Sequence, residues 1–113
     1  MTTVHVKRPG EPVTEDCPMR AAMGAIGGKW SLILLYWLDK APRRFNELGR
    51  LVPDISHKML AEVLRTLEDE GLITRTVDGM QVEYAISPHG QSARHLIDAI
   101  HDWGKAHLAR PRD

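Results

Sequence analysis

SHKMLAEVLRTLEDEGLITRTVDGMQVEYAI, residues 56–86, changes its hydrophobic period once, at Gly71. Before the glycine, Leu60, Val63, Leu64 and Leu67 recur at three- and four-residue steps. At about 100° per residue they share one face of a helix. Ser56 is a fitting N-cap, and Gly71 suits the left-handed position just past a helix C-terminus. The spacing predicts a helix over 57–70. After the glycine the pattern alternates. Segments 72–77 (LITRTV) and 80–86 (MQVEYAI) flank Asp78-Gly79, a two-residue hairpin signal. With that pair as the loop, Val77 faces Met80, Arg75 faces Val82 and Ile73 faces Tyr84. One side of the hairpin then carries Ile73, Val77, Met80, Val82, Tyr84 and Ile86. The other carries Thr74, Thr76, Gln81 and Glu83.

Upstream, a short helix over 45–51 turns Phe45, Leu48 and Leu51 inward with Val52, and Pro53-Asp54 stops it. Two helices joined by a turn of about four residues make a helix-turn-helix. Residues 29–39 (KWSLILLYWLD) leave almost no polar face, which predicts a buried central helix. Leu richness and the lack of Val or Thr favour helix over buried strand there. A first helix over 19–26 sets Met19, Ala22, Met23 and Ile26 on one stripe before Gly27-Gly28 breaks it. Downstream, Ser87-Pro88 reads as the N-cap and first-turn proline of a last helix. That helix carries Leu96, Ile97, Ile100, Trp103, Gly104, His107 and Leu108 at helical spacing. Residues 1–15 mix Pro, Thr and charge without apolar period, which predicts a flexible arm ahead of one domain over 16–113. Helices, helix-turn-helix, hairpin, helix: the order is that of a winged helix, mainly α with a small β-hairpin wing.

The bulk composition fits this reading without deciding function. With 113 residues, 42% hydrophobic and 27% charged, the chain has the size and balance of one globular domain. No apolar run approaches the ~20 residues of a membrane span, and the start has no apolar signal core, so no membrane partner is expected. A single cysteine cannot form an internal disulfide and suits a reducing, cytoplasmic setting. The formal net charge is zero, so a nucleic-acid binder of this composition must concentrate its positive charge locally.

It does so around the helix-turn-helix. Between Lys40 and Lys58 there are five Lys/Arg (Lys40, Arg43, Arg44, Arg50, Lys58) against Glu47 and Asp54, a local excess of +3. On the helix after Ser56, the face opposite the leucines carries Lys58, Ala61, Glu62 and Arg65, with His57 flanking. Long polar side chains near a helix N-terminus reach base edges in the major groove. Lys58 and Arg65 can donate to guanine, and Glu62 can accept from cytosine. Ser56 and His57 stand where phosphates approach a helix start. Arg43 and Arg44 fit backbone phosphates, and Arg75 with Gln81 on the wing fits the backbone or minor groove. The acids Glu68, Asp69 and Glu70 cluster at the far end, away from the expected duplex.

Taken together, Cys17-Pro18, GGKWSLILLYWL, RRFNELGRLVPDIS, HKMLAEVLRTLEDEGLITR, VEYAISPHG and the terminal Trp103-Gly104 resemble the HxlR-type transcription regulators, which lie close to the MarR-type winged helices. The likeness covers about residues 17–108. It implies a homodimer built from the first and last helices, binding a palindromic operator in double-stranded DNA through paired recognition helices and wings. Two features depart from the family pattern. Met80-Gln81 stands where relatives carry a longer wing with a proline before the VEY, and Ser87 stands where Thr is common.

Cys17 is the candidate redox sensor. A helix start and a nearby cation, here Arg20, both favour thiolate, and in some relatives a cysteine at this place senses oxidants or electrophiles. The competing reading is an inert cap residue. Trp30, Trp37 and Trp103 suggest a pocket for a small-molecule effector, but at helical spacing on apolar stripes they read better as core. His89, His95, His101 and His107 recur every six residues, which scatters them around a helix rather than gathering a metal shell. No metal or cofactor is expected. Residues 24–28 (GAIGG) have no preceding strand and are not a dinucleotide fingerprint, and no nucleophile-base pair stands out, so no enzyme is expected. The rival from another class is a winged helix serving only as a protein-interaction module.

Overall fold

The computed structural model describes residues 17–111. The arm expected over 1–15 lies outside them. Four helices and a strand come first: α1 (Pro18–Ile26), α2 (Ser31–Lys40), β1 (Arg43–Arg44), α3 (Phe45–Leu51) and α4 (His57–Asp69). The hairpin β2 (Ile73–Asp78) and β3 (Gln81–Ile86) follows, then α5 (Pro88–Gln91) and α6 (Arg94–Ala109). The fold is mainly helical with a three-stranded antiparallel sheet in the order β1-β3-β2.

The core forms where the sequence periods converge. Leu34, Leu35 and Leu38 of α2, Leu48 of α3, and Leu60, Leu64 and Leu67 of α4 are all essentially solvent-free. Ile26, Val52, Ile55, Leu72, Ile73 and Ile97 close the cluster from the ends and the sheet. α2 is therefore the central helix, although Ile33 on its far side is exposed. Ser56 caps α4 as expected, its Oγ accepting from the Met59 amide at 3.0 Å. Gly71 ends the helix at φ +77, where a side chain would be strained.

Three features differ from the sequence expectation. The hairpin register is shifted: Val77 pairs with Val82, Arg75 with Tyr84 and Ile73 with Ile86. The loop is Gly79-Met80 rather than Asp78-Gly79, because Gly79 takes the first central position at φ +63 and Met80 needs no positive φ. Moving each partner by two residues preserves the faces, so the same side chains still point the same way. A short strand, β1, adds Arg43 opposite Tyr84 and Arg44 opposite Glu83, widening the hairpin to a sheet. Finally, the last helix is split. α5 is one turn capped by Ser87, and α6 begins after Ser92-Ala93.

α6 buries little within the chain. Ile97 is buried and Leu96 half-buried, but Ile100, Trp103 and Leu108 are 44%, 67% and 74% exposed. Trp103 is thus not core, whereas Trp30 and Trp37 pack against it. Met19 and Met23 of α1 are likewise exposed. No single described helix is long and apolar enough to cross a membrane.

Candidate nucleic-acid interface

α3 and α4 form the helix-turn-helix, and their packing decides which side chains of α4 remain outside. Leu60, Leu64 and Leu67 dock α4 on the core, and Val63 flanks them half-buried. His57, Lys58, Ala61, Glu62 and Arg65 are all exposed. Thr66 Oγ1 donates back to the Glu62 carbonyl at 3.1 Å, and the outer face carries the exposed Lys58, Glu62 and Arg65 side chains. His57 rests edge-on against Phe45 with ring centroids 5.7 Å apart, which ties the start of α4 to the start of α3. Ser56 spends its acceptor on the cap, yet a hydroxyl keeps a proton to donate outward.

The two arginines of β1 have different environments. Arg43 is half-buried, its Nε donating to the Trp37 carbonyl at 3.4 Å and its guanidinium carbon 5.9 Å from the Trp37 ring centre. It is committed to the end of α2. Arg44 is exposed, while its backbone amide donates to Glu47 Oε1 at 3.0 Å and so caps α3.

The sheet presents two clefts of opposite character. On one side Arg44 and Gln81 share a cleft with Thr76, Asp78 and Glu83, where two carboxylates face one guanidinium. On the side toward α4, Arg75 of β2 meets Arg65, Ala61 and Glu68 of α4 and Tyr84 of β3 around a cleft of 340 Å³. Here two guanidiniums face one carboxylate. Sequence reading named Arg65 and Arg75 separately and missed Tyr84 and Glu68. The available signal was Arg75 itself, a charged residue between Ile73 and Val77 on the otherwise apolar side of the hairpin. Glu68, expected to point away with Asp69 and Glu70, instead lines this cleft.

Cys17 is the N-cap residue of α1 and is buried, 7% exposed, with its carbonyl accepting from the Ala21 amide at 2.9 Å. Arg20 lies exposed one turn on. An apolar groove of 180 Å³ does lie between α2 and α6, lined by Leu32, Ile33, Tyr36, Ile97, Ile100 and His101. None of the tryptophans lines it. Two of the three histidines of α6 engage aromatic rings: His101 stacks on Tyr36 at 5.0 Å and His107 on Trp103 at 4.8 Å. Among the described residues no three His, Cys, Asp or Glu gather as a metal shell.

The sequence matches the HxlR-like helix-turn-helix family over residues 25–112. It is 39% identical over 95 residues to the HTH-type transcriptional regulator YtcD of Bacillus subtilis, covering 81% of this chain and 75% of that protein. A regulator from Methanothermobacter thermautotrophicus is 38% identical over 102 residues, covering 85% and 78%. Among solved structures, ytcD superposes with a TM-score of 0.80, covering 83% of this chain and 99% of that one. The redox regulator HypR in its oxidized form superposes at 0.78 with 34% identity, covering 86% and 99%. Quinone-bound YodB from B. subtilis superposes at 0.69 with 31% identity, covering 80% and 99%. The relatives are transcriptional regulators, and with its capped α4, its docked α3 and its wing, this chain belongs to the HxlR-like helix-turn-helix family of transcriptional regulators.

Proposed function

We propose that the protein is a cytoplasmic homodimer that reads a palindromic operator in double-stranded DNA through paired α4 helices. The observation that carries this reading is the division of α4: leucines wholly buried on one side, and Lys58, Ala61 and Glu62 exposed on the first two turns of the other. Those turns reach base edges, while Ser56 and His57 meet phosphates beside them. Arg43, held by Trp37, contributes to the local positive field rather than to a contact.

The dimer forms through α1 and α6. Met19, Met23, Ile100, Trp103 and Leu108 leave two apolar stripes uncovered, and a two-fold contact is the common way to cover such stripes. Cys17 begins α1 and so stands where a covalent change reaches that contact. Its sulfur is buried, so a bulky adduct or an oxidised sulfur no longer fits, and the first turn of α1 must move. The likeness to HypR and to quinone-bound YodB supports an oxidant or electrophile as the input. The groove between α2 and α6 offers a small-molecule effector an apolar seat against α6, the other proposed dimer helix.

Lys58→Ala tests the recognition assignment. On a selected duplex it is expected to lose about 1–3 kcal/mol and to relax preference at one base pair. Equal affinities for parent and variant on every duplex would remove α4 from the interface.

A further inference from the structure

We infer that the cleft between α4 and the wing is a seat for one backbone phosphate, held by Arg65, Arg75 and the Tyr84 hydroxyl, so that Arg65 positions the duplex instead of reading a base. The inference rests on the DNA-binding reading and assigns a role within it.

The residues come from three elements. Arg65 lies in the third turn of α4, Arg75 on β2, and Tyr84 directly opposite Arg75 on β3. All three line one cleft of 340 Å³, roughly ten water molecules' share of liquid and ample for a phosphate oxygen pair. Tyr84 is half-buried, packed against the core and lines the cleft, and its hydroxyl is the one polar atom of its side chain. Both arginines are exposed. Two guanidiniums sharing a cleft repel each other, and Glu68 supplies one carboxylate against two cations. An anion between them turns that repulsion into two charge-assisted hydrogen bonds.

The alternative seats are poorer. The cleft on the other side of the wing sets Asp78 and Glu83 against Arg44, which repels phosphate. The wing tip is Gly79-Met80, with Met80 fully exposed and no cation beside it. β2 and β3 carry Arg75 as their sole Lys or Arg, so the wing's electrostatic hold on a duplex runs through this cleft. Arg65 is also eight residues past the start of α4, about 12 Å along the axis. Base readers concentrate in the first turns.

The test is a titration of full-length protein against its selected duplex and a scrambled one, across a salt series. Arg65→Ala and Arg75→Ala should each weaken both duplexes by the same factor, about eightfold at ~0.1 M salt, and flatten the log–log salt slope by about one. Tyr84→Phe should weaken both a few-fold without changing the slope, and Glu68→Gln should tighten both. A selected duplex with one neutral methylphosphonate per half-site, moved position by position, should reveal one linkage at which the parent loses affinity and Arg75→Ala loses nothing further. If Arg65→Ala instead spares the scrambled duplex and relaxes base preference, Arg65 reads a base and the clamp is wrong while the DNA-binding reading stands. A parent that prefers no duplex overturns both.

Discussion

Ser87 Oγ donates a 2.6 Å hydrogen bond to the carbonyl of Gly71, and itself accepts from the amide of Gly90 at 2.9 Å. One buried hydroxyl thus closes the C-terminal end of the recognition helix and opens the helices that follow the wing. The Ser87 amide adds a bond to the Leu72 carbonyl at 3.0 Å. The angle between α4 and the proposed dimer helices depends on this junction.

Ser87→Ala is expected to cost about 1–3 kcal/mol, since it leaves the Gly71 carbonyl and the Gly90 amide short of a partner. Ser87→Thr keeps the hydroxyl and should lie within about 1 kcal/mol of the parent. Gly90→Ala should be worse than either, because a Cβ there runs into the Leu72 carbonyl oxygen and Ile86 Cγ1. Urea unfolding of the three variants checks the order: Thr least affected, Ala at 87 intermediate, Ala at 90 worst. Equal stability of Ser87→Ala and parent would contradict the junction.

Much of this arrangement is legible in the sequence because the hydrophobic period reports burial directly. α4 and its cap follow from Leu60, Leu64 and Leu67 behind Ser56, and α3 from Phe45 and Leu48. The hairpin register is harder, since the Asp78-Gly79 and Gly79-Met80 loops put the same side chains on the same faces. What separates them is the φ each loop demands of Gly79 and its neighbour, which no apolar pattern records. β1 is two residues long and has no period to read. Trp103 reads as core from its spacing for a physical reason: an apolar stripe left exposed has the same period as one that packs at home. The cleft of Arg65, Arg75 and Tyr84 joins residues whose proximity is set by how α4 packs on the sheet, which sequence spacing does not give.

Assembly is tested on α6. Trp103→Glu places a charge on the exposed apolar stripe without touching the buried core of one chain. It should leave the helical content unchanged and convert a two-chain particle into a monomer at micromolar concentration, as read by light scattering. Operator affinity should fall with it, since two half-sites are then bound independently. A parent that is already monomeric under these conditions, or a Trp103→Glu variant that stays dimeric, would rule out this interface.

Cys17 gives a chemical prediction. Treatment with a quinone or hypochlorite should lower operator affinity of the parent, and Cys17→Ser should retain its affinity after the same treatment. Because the sulfur is buried, reaction should be slower than that of free cysteine until α1 opens, and mild denaturant should speed it. Mass spectrometry locates the adduct, and anisotropy on the operator reads its consequence. A Cys17→Ser protein that loses affinity just as the parent does would make Cys17 a structural residue.

The proposed dimer sets two α4 helices, related by a two-fold axis, on one duplex. It is tested most directly by selecting bound duplexes from a random pool with the full-length protein and sequencing what is enriched. The expected result is an inverted repeat whose half-site centres lie about 10 bp apart, one helical turn, so that both helices enter the same face of the DNA. Enrichment of a lone half-site, of a direct repeat, or of no sequence at all would contradict it.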